Sequence, residues 1–282
     1  MQNSLYTYLF KHEENYYIYN SEQCLLAEIS LDMYKSLHDR DFGEINTDTL
    51  KVLCDKKIVV SDEDRYSYYN ESKIKFLSSA YNNEVITLAI VPCTGCNFEC
   101  PYCFETKKHP KIIDEKTEND IIDFINGHES AKELYLTWYG GEPLLAFDKI
   151  KSIYKKIKEK TSVEIKGNSI VTNGYLINDD VLNFFKESNL NQIQITLDGL
   201  PEHHNKTRYL KAGKKETFDT IIENIKKTAE CLPQTQVAVR INVNKTNEKD
   251  FANLYKRFSE EMDYSNVYAY PGFIREDTCD NW

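Results

Sequence analysis

No stretch of this 282-residue chain is both long and apolar enough to cross a bilayer. The opening MQNSLYTYLFKHEENYY has no apolar segment of the kind a secretory signal needs. Membrane insertion and export are therefore disfavoured, and a cytoplasmic location follows by default. A strongly basic stretch is also missing. Asp and Glu number 45 against 35 Lys and Arg, a net charge of −10, which argues against a general nucleic-acid binder. There is no low-complexity tract and no obvious repeat. The eight cysteines are not spread out as a secreted disulfide framework would spread them: four fall within residues 93–103, and Cys24, Cys54, Cys231 and Cys279 are scattered. Reduced thiols serving a metal fit this distribution better. What is present is 41% hydrophobic residues, enough for a substantial core, and a length that suits one large domain or a large one with a small one.

Residues 1–83 read differently from the rest. Tyr16–Tyr19 has strand character and Asn20–Ser21 turn character. Ile29 to Leu37 and Thr47–Leu53 suit short helices, and Ile58–Val60 with Tyr66–Tyr69 suits a small hairpin. Helices followed by a hairpin suggest a compact α+β, winged-helix-like module. From residue 84 a βα alternation sets in. Val85–Val91, Leu134–Trp138, Glu164–Val171, Gln192–Leu197, Gln236–Val243 and Val267–Tyr270 are six candidate strands. Between them Ile150, Ile153, Tyr154 and Ile157 recur at helical spacing. So do Phe218, Ile221, Ile222 and Ile225, and Phe251, Leu254, Tyr255 and Phe258. Asn178 and Thr217 are candidate helix N-caps. Six strands alternating with five helices predict parallel βαβ units in an open, partial barrel, since eight strands would be needed to close one. The domain boundaries expected are 1–83, 84–275 and, from Glu276 to Trp282, the start of a C-terminal extension.

The densest chemistry lies just after the first strand of that alternation, in CNFECPYC. Cys96, Cys100 and Cys103 are spaced C-x3-C-x2-C. Three thiolates on one loop can hold three irons of a 4Fe–4S cube and leave the fourth open to a ligand. The remaining polar motifs fall at the C-terminal ends of the other strands: Gly140-Gly141-Glu142-Pro143, Thr172-Asn173-Gly174 and Asp198-Gly199, with Arg240 and Asn242 within the fifth strand. That rim is where α/β barrels build active sites.

These motifs together resemble the radical SAM superfamily. CNFECPYC is similar to its cluster loop. WYGGEP, TNG, ITLDG followed by HHNKTR, and RINVNKTN are similar to its peptide- and protein-modifying branch, including radical SAM/SPASM peptide maturases and anaerobic sulfatase-maturating enzymes. The resemblance runs from Val85 to Asn247. It implies an α/β, partial (βα)6 TIM-like barrel behind the small N-terminal domain. It also implies a 4Fe–4S cluster on Cys96, Cys100 and Cys103, with S-adenosylmethionine (SAM) on the open iron. By the same resemblance, Gly140, Gly141 and Glu142 would receive the methionyl amino group. Arg208 and Thr196 are candidates for the carboxylate. Asn173, Arg240 and Asn242 are candidates for the ribose and methionyl ends. Asp198 joins the cofactor-binding set, and Tyr102 would pack on the adenine. The reduced cluster would cleave SAM to a 5′-deoxyadenosyl radical that takes hydrogen from a peptide or protein. The electron would come from a donor such as a flavodoxin or ferredoxin. A C-terminal SPASM domain with further clusters would be expected in a longer chain.

Competing readings bear on several of these residues. A structural zinc site would use two separated CxxC knuckles, whereas Cys93 and the three cysteines stand too close for that; Cys93 reads as a spare thiol. Glu142 could be a solvated turn residue, and Arg240 could face solvent. His203 and His204 read as surface histidines. The N-terminal module could bind a leader peptide by strand addition or merely cap the barrel. A non-catalytic metal-binding scaffold is the rival from another class, and the GGEP and LDG motifs argue against it.

Overall fold

The computed structural model describes residues 1–103, 110–261 and 264–273. The chain divides into two units, the first Met1–Asn82 and the second beginning at Asn83. In the first, β1 (Gln2–Asn3), β2 (Thr7–His12), β3 (Asn15–Asn20) and β4 (Leu25–Ile29) are followed by α1 (Leu31–Asp39), α2 (Thr47–Asp55), β5 (Val59–Val60) and α3 (Ser67–Ala80). Strands β2, β3 and β4 form an antiparallel sheet in that order, and β1 pairs antiparallel with β5. Helix α1 starts after Ile29 because Ser30 caps it, its Oγ accepting from Met33 N at 3.2 Å. Asn46 does the same for α2, accepting from Thr49 N at 2.9 Å. Ile18, Leu37, Ile45, Leu53, Ile58 and Val59 make the core of this unit.

The expected hairpin of Ile58–Val60 with Tyr66–Tyr69 does not form. Glu63–Tyr66 is a 3-10 turn and α3 continues it from Ser67. Ser61 Oγ accepts from Asp64 N at 3.1 Å and bonds the Asp64 carboxylate at 2.8 Å, which starts a helical turn at that point. Strand β5 pairs instead with the first residues of the chain, a long-range partner that local alternation does not reveal.

The second unit is a six-stranded parallel sheet of β6 (Val85–Cys93), β7 (Glu133–Gly140), β8 (Glu164–Thr172), β9 (Gln192–Leu197), β10 (Gln236–Val243) and β11 (Val267–Phe273). The strands lie side by side in chain order. Helices α4 (Glu115–Asn126), α5 (Phe147–Lys160), α6 (Asp179–Glu187), α7 (Pro201–Thr207), α8 (Phe218–Cys231) and α9 (Glu248–Glu261) lie in the crossovers. Chain-order neighbours with helical crossovers are the wall of an open α/β barrel. Among the described residues β6 and β11 do not pair with each other. One face of the strands (Leu134, Leu136 and Trp138 on β7; Ile193, Ile195 and Leu197 on β9) packs against the stripes Ile150, Ile153, Ile157 and Ile221, Ile222, Ile225 of α5 and α8. Truncating any of these fully buried isoleucines to Ala would cost roughly 2–5 kcal/mol.

Asn178 caps α6 as expected, accepting from Val181 N at 3.0 Å. Thr217 does not cap α8 with its side chain. Asn205 Oδ1 takes the Thr217 and Phe218 N–H groups at 3.1 Å each, and Thr217 Oγ1 donates to Arg208 O. The residues from Glu276 to Trp282, with Cys279, lie outside the described residues.

Glu118 of α4 is buried, 2% exposed, against α5. It receives Lys149 Nζ at 2.7 Å, Ser152 Oγ at 2.7 Å and Lys156 Nζ at 2.9 Å. Burial raises the pKa of this carboxyl, but the bonds from Lys149, Lys156 and Ser152 outweigh it and hold the value at about 2, below the ordinary 4.5. A depressed carboxylate pKa stabilises the fold above the unfolded value. That stability is lost as pH falls from 4.5 towards 2. Glu118→Gln should therefore lower the melting temperature at neutral pH, with the gap to the parent closing as pH falls through this window. A gap independent of pH in thermal melts would refute the assignment.

Candidate functional site

The cysteine loop leaves β6 and is tied down on both sides. Thr94 N donates to Lys111 O and Ile113 N to Pro92 O, each at 3.0 Å. Farther on, Glu99 N donates to Tyr209 O at 3.2 Å and Lys211 N to Asn97 O at 2.8 Å. The tightest support comes from β7. Gly141 N donates to Cys93 O at 3.2 Å and Glu142 N to Gly95 O at 2.8 Å. Gly140 has φ +130°, and a Cβ there would stand 2.5 Å from Cys93 O. A Cβ on Gly141 would overlap the Gly95 carbonyl oxygen and lie 2.6 Å from Thr94 O. The two glycines thus let the end of β7 lie directly on the backbone of the cysteine loop.

Glu142 is fully buried, not a solvated turn residue. Its Oε1 accepts from Leu144 N at 3.0 Å and Thr172 Oγ1 at 2.7 Å; its Oε2 accepts from Asn173 N at 2.7 Å. Burial raises its pKa, and the bonds from Asn173, Thr172 and Leu144 oppose that. One carboxylate therefore joins the end of β7 to the turn after β8. That turn reaches the cysteine loop: Asn173 Nδ2 donates to Asn97 Oδ1 at 2.7 Å and to Cys96 Sγ at 3.9 Å.

A second polar cluster forms at the ends of β9 and β10. Asp198 Oδ2 accepts from Tyr102 OH at 2.6 Å and Thr207 Oγ1 at 2.7 Å, and its Oδ1 accepts from Asn242 Nδ2 at 3.0 Å. Arg208 Nη1 donates to Tyr102 OH at 3.0 Å, and its guanidinium lies over the Phe98 ring at 5.6 Å. Arg208 Nε is buried without a partner. Burial, with Asp198 adding to it, keeps the Tyr102 phenol protonated far above its ordinary range, against the opposing pull of Arg208. Arg240 Nε donates to Asn242 Oδ1 at 3.1 Å, and Thr196 stands opposite Arg240 in the β9–β10 register. Asp198 N donates to His204 Nδ1 at 3.3 Å, and His204 Nε2 bonds Thr217 Oγ1 at 3.1 Å. His204 is fully buried, which corrects its reading as a surface residue. Its pKa is pushed well below 6.5 by burial and by Arg208.

Residues 90–258 match the model of the radical SAM superfamily. The chain belongs to that superfamily. Its members use a 4Fe–4S cluster and SAM. A serine-type anaerobic sulfatase-maturating enzyme of Bacteroides thetaiotaomicron is 34% identical over 142 residues, covering 46% of this chain and 33% of that protein. The radical SAM cyclopropyl synthase TigE of Paramaledivibacter caminithermalis is 24% identical over 266 residues, covering 80% of this chain and 56% of that protein. The chain thus spans only part of the length of both relatives. Among solved structures, native anSMEcpe with bound AdoMet and Cp18Cys peptide superposes with a TM-score of 0.57 at 22% identity, over 66% of this chain and 51% of that one. This last likeness concerns the fold.

The radical SAM loop here fits a cluster. Cys96, Cys100 and Cys103 line a cavity of about 630 Å³ with Cys93, Gly95 and Phe98. Burial pushes the Cys100 thiol up to about 11; Arg208 opposes this, while Asp198, Cys96 and Cys103 add to it. A thiol held protonated in this way is relieved by metal, which holds coordinating thiols deprotonated. Among the described residues no three Cys, His, Asp or Glu converge on a single ion. A cube takes one thiolate per iron, so its ligands stand apart rather than meet. Cys93 is buried, and its sulfur accepts from Gly95 N at 3.2 Å, closing a local turn.

The structure brings most of the residues singled out from the sequence into two groups, while Thr196 is placed only by its register opposite Arg240. Tyr102, Asp198, Arg208, Arg240 and Asn242 form one hydrogen-bonded set, and Gly140, Gly141, Glu142 and Asn173 a second one against the cysteine loop. Asn97, Thr207, His204 and Asn247 also take part, without having been assigned a role from the sequence. Asn247 donates through Nδ2 to Asp198 O at 3.1 Å and Asn242 O at 2.9 Å. Signals for them were present: Asn97 stands between two cysteines, Thr207 and His204 lie in HHNKTR, and Asn247 ends RINVNKTN.

The glycine packing makes a direct prediction. Gly141→Val sets a branched side chain against loop backbone that cannot step aside. Iron bound per chain after anaerobic reconstitution should fall together with SAM binding. Full iron content with SAM binding alone lost would show that the glycine serves ligand approach and not loop packing.

Proposed function

We propose that this chain carries the catalytic barrel of a radical SAM enzyme that modifies a peptide, in the first place a maturase of ribosomally made peptides. The observation that carries the proposal is the joining of the three-cysteine loop to the GGE turn, with Asp198, Tyr102 and Arg208 beside it. When bound, the cluster and SAM supply a one-electron cleavage that leads to hydrogen removal from an unactivated carbon. The protein's own part is positional. Cys96, Cys100 and Cys103 are the ligands for three irons. Gly140, Gly141 and Glu142 offer backbone groups for the methionyl amino group. Arg208, with an unpartnered Nε, is placed to meet a carboxylate through a charge-assisted bond, with Thr196 nearby on the same rim. Asn173, Arg240, Asn242 and Asp198 are assigned to the ribose and methionyl ends, and Tyr102 to the adenine side. The electron donor is a flavodoxin- or ferredoxin-type protein, and the compartment is the cytoplasm. Among the described residues no helix is long and apolar enough to cross a membrane.

The sulfatase-maturating alternative has its own support in the 34% identity to the Bacteroides enzyme. The N-terminal unit favours the peptide maturase. Strands β2 and β4 are the outer strands of its three-stranded sheet and have no further partner among the described residues. An open edge accepts a peptide as an added strand, and a leader sequence is the occupant we assign. On this reading residues 1–83 are the recognition domain and 84–275 the catalytic one.

Two measurements test the reading. Anaerobic reconstitution should give about four irons on this loop. Replacing Cys96, Cys100 and Cys103 by Ala should abolish them and the SAM cleavage with them, while Cys93→Ala should not. Iron retained in the triple variant rejects the cluster assignment. In the full native enzyme, deletion of residues 1–80 should leave SAM cleavage nearly intact and strongly reduce processing of a leader-bearing peptide. Processing at the parental rate by a folded truncation would favour the sulfatase-type activity.

A further inference from the structure

Cys96 differs from the other two loop cysteines in having amide N–H groups turned on its sulfur. Phe98 N donates to Cys96 Sγ at 3.4 Å and Asn173 Nδ2 does so at 3.9 Å. Among the described residues no comparable bond to the sulfur of Cys100 or Cys103 is found. Asn173 is held at three points, two on its carboxamide and one on its backbone N–H. Its Oδ1 accepts from Tyr175 N at 3.0 Å, its Nδ2 donates to Asn97 Oδ1 at 2.7 Å, and its own N–H is taken by Glu142. It is 6% exposed, so water does not compete for the amide. Asn97, its neighbour, has a buried Nδ2 with no partner among the described residues, so its carboxamide is held through Oδ1, which takes the Asn173 Nδ2. The thiolate and sulfide sulfurs of a 4Fe–4S cluster carry negative charge and accept N–H groups such as that of Asn173.

We infer that the Asn97–Asn173 amide pair is a tuning device for the cluster, raising its reduction potential through N–H···S bonds on the Cys96 side. The inference rests on the cluster assignment proposed above. Reduction adds negative charge that spreads onto the sulfurs. An N–H aimed at a sulfur therefore stabilises the reduced form more than the oxidised one, and hydrogen bonds to the sulfurs are among the factors that set such potentials. Asn173 is the donor. Asn97 is a positioning residue, acting on Cys96 by fixing the rotamer of Asn173. The two motifs involved are far apart in the chain, yet Glu142 clamps the Asn173 turn while Gly141 fixes the cysteine loop, so the donor distance is set by the same contacts that hold the loop.

The test is a potentiometric measurement on anaerobically reconstituted protein without SAM or substrate, followed by electron paramagnetic resonance of the reduced cluster. Iron content is determined first. About four irons per chain confirms the cluster, and no iron on the parental loop would sink the underlying reading instead of this one. Given the cluster, Asn173→Ser should shift the midpoint potential to a more negative value. Asn97→Ala should shift it the same way by less, and the double variant should add little to Asn173→Ser, as expected for residues acting through one bond. A loaded Asn173→Ser protein with the parental potential overturns the inference, as does strict additivity. If neither variant takes up iron, the parental protein decides, labelled with heavy nitrogen in the asparagine side-chain amide. A pulsed-resonance coupling from that nitrogen to the reduced cluster is expected, and its absence refutes the bond.

Discussion

The close contact between the end of β7 and the cysteine loop is the constraint from which the rest of the site follows. Two residues without side chains allow two backbones to share hydrogen bonds where any Cβ would collide with a carbonyl oxygen. A loop carrying three thiols has little reason to hold one shape by itself. Here its shape is imposed by a β-strand belonging to the rigid wall of the barrel, and the bulge between Ile90 and Cys93 in the β6–β7 register marks where ladder pairing gives way to this packing. Glu142 then extends the effect by one strand, since its carboxylate binds the turn after β8 as well as its own helical turn.

Asp198 plays the corresponding part on the other side of the rim. It draws hydrogen bonds from the cysteine loop through Tyr102, from α7 through Thr207 and from β10 through Asn242. Four separate segments therefore meet on one carboxylate. Arg208, buried and partly unsatisfied, sits beside this hub over Phe98. Its guanidinium reaches Tyr102 OH and lies 4.0 Å from Asp198, so the same hub holds the carboxylate and the cation that balances it.

The barrel was legible because strand period and helix period are local signals. Apolar alternation at Ile193, Ile195 and Leu197 and the stripe at Ile150, Ile153 and Ile157 need no knowledge of distant residues. The cysteine spacing was legible for the same reason. The N-terminal hairpin does not form because β5 pairs with Gln2 and Asn3, whose two-residue strand has no pattern of its own, and because the 3-10 turn Glu63–Tyr66, opened by the Ser61–Asp64 bonds, runs on into α3. The sequence sets the glycines of WYGGEP at the end of a barrel strand, but their packing against Cys93 and Gly95 requires two loops to be superposed. The amide contacts of Asn97 and Asn173 lie beyond sequence reasoning for the same reason. Polar residues in adjacent loops gain meaning only once the loops are brought together.

The imidazole of His204 shows what a buried rim does to a reactive side chain. One ring nitrogen takes the Asp198 N–H; the other faces Thr217 Oγ1, whose own hydrogen goes to Arg208 O. Hydrogens along this path all point one way, and a second proton on the ring would set two donors against each other at the Asp198 amide. With both nitrogens spent, the ring has no lone pair for an iron and no proton to lend. A histidine joined to the cysteine loop through Asp198 would otherwise rank as a ligand or an acid. Here it is a fixed spacer that keeps the turn after β9 in place and leaves the chemistry at the rim to sulfur and to whatever the rim binds.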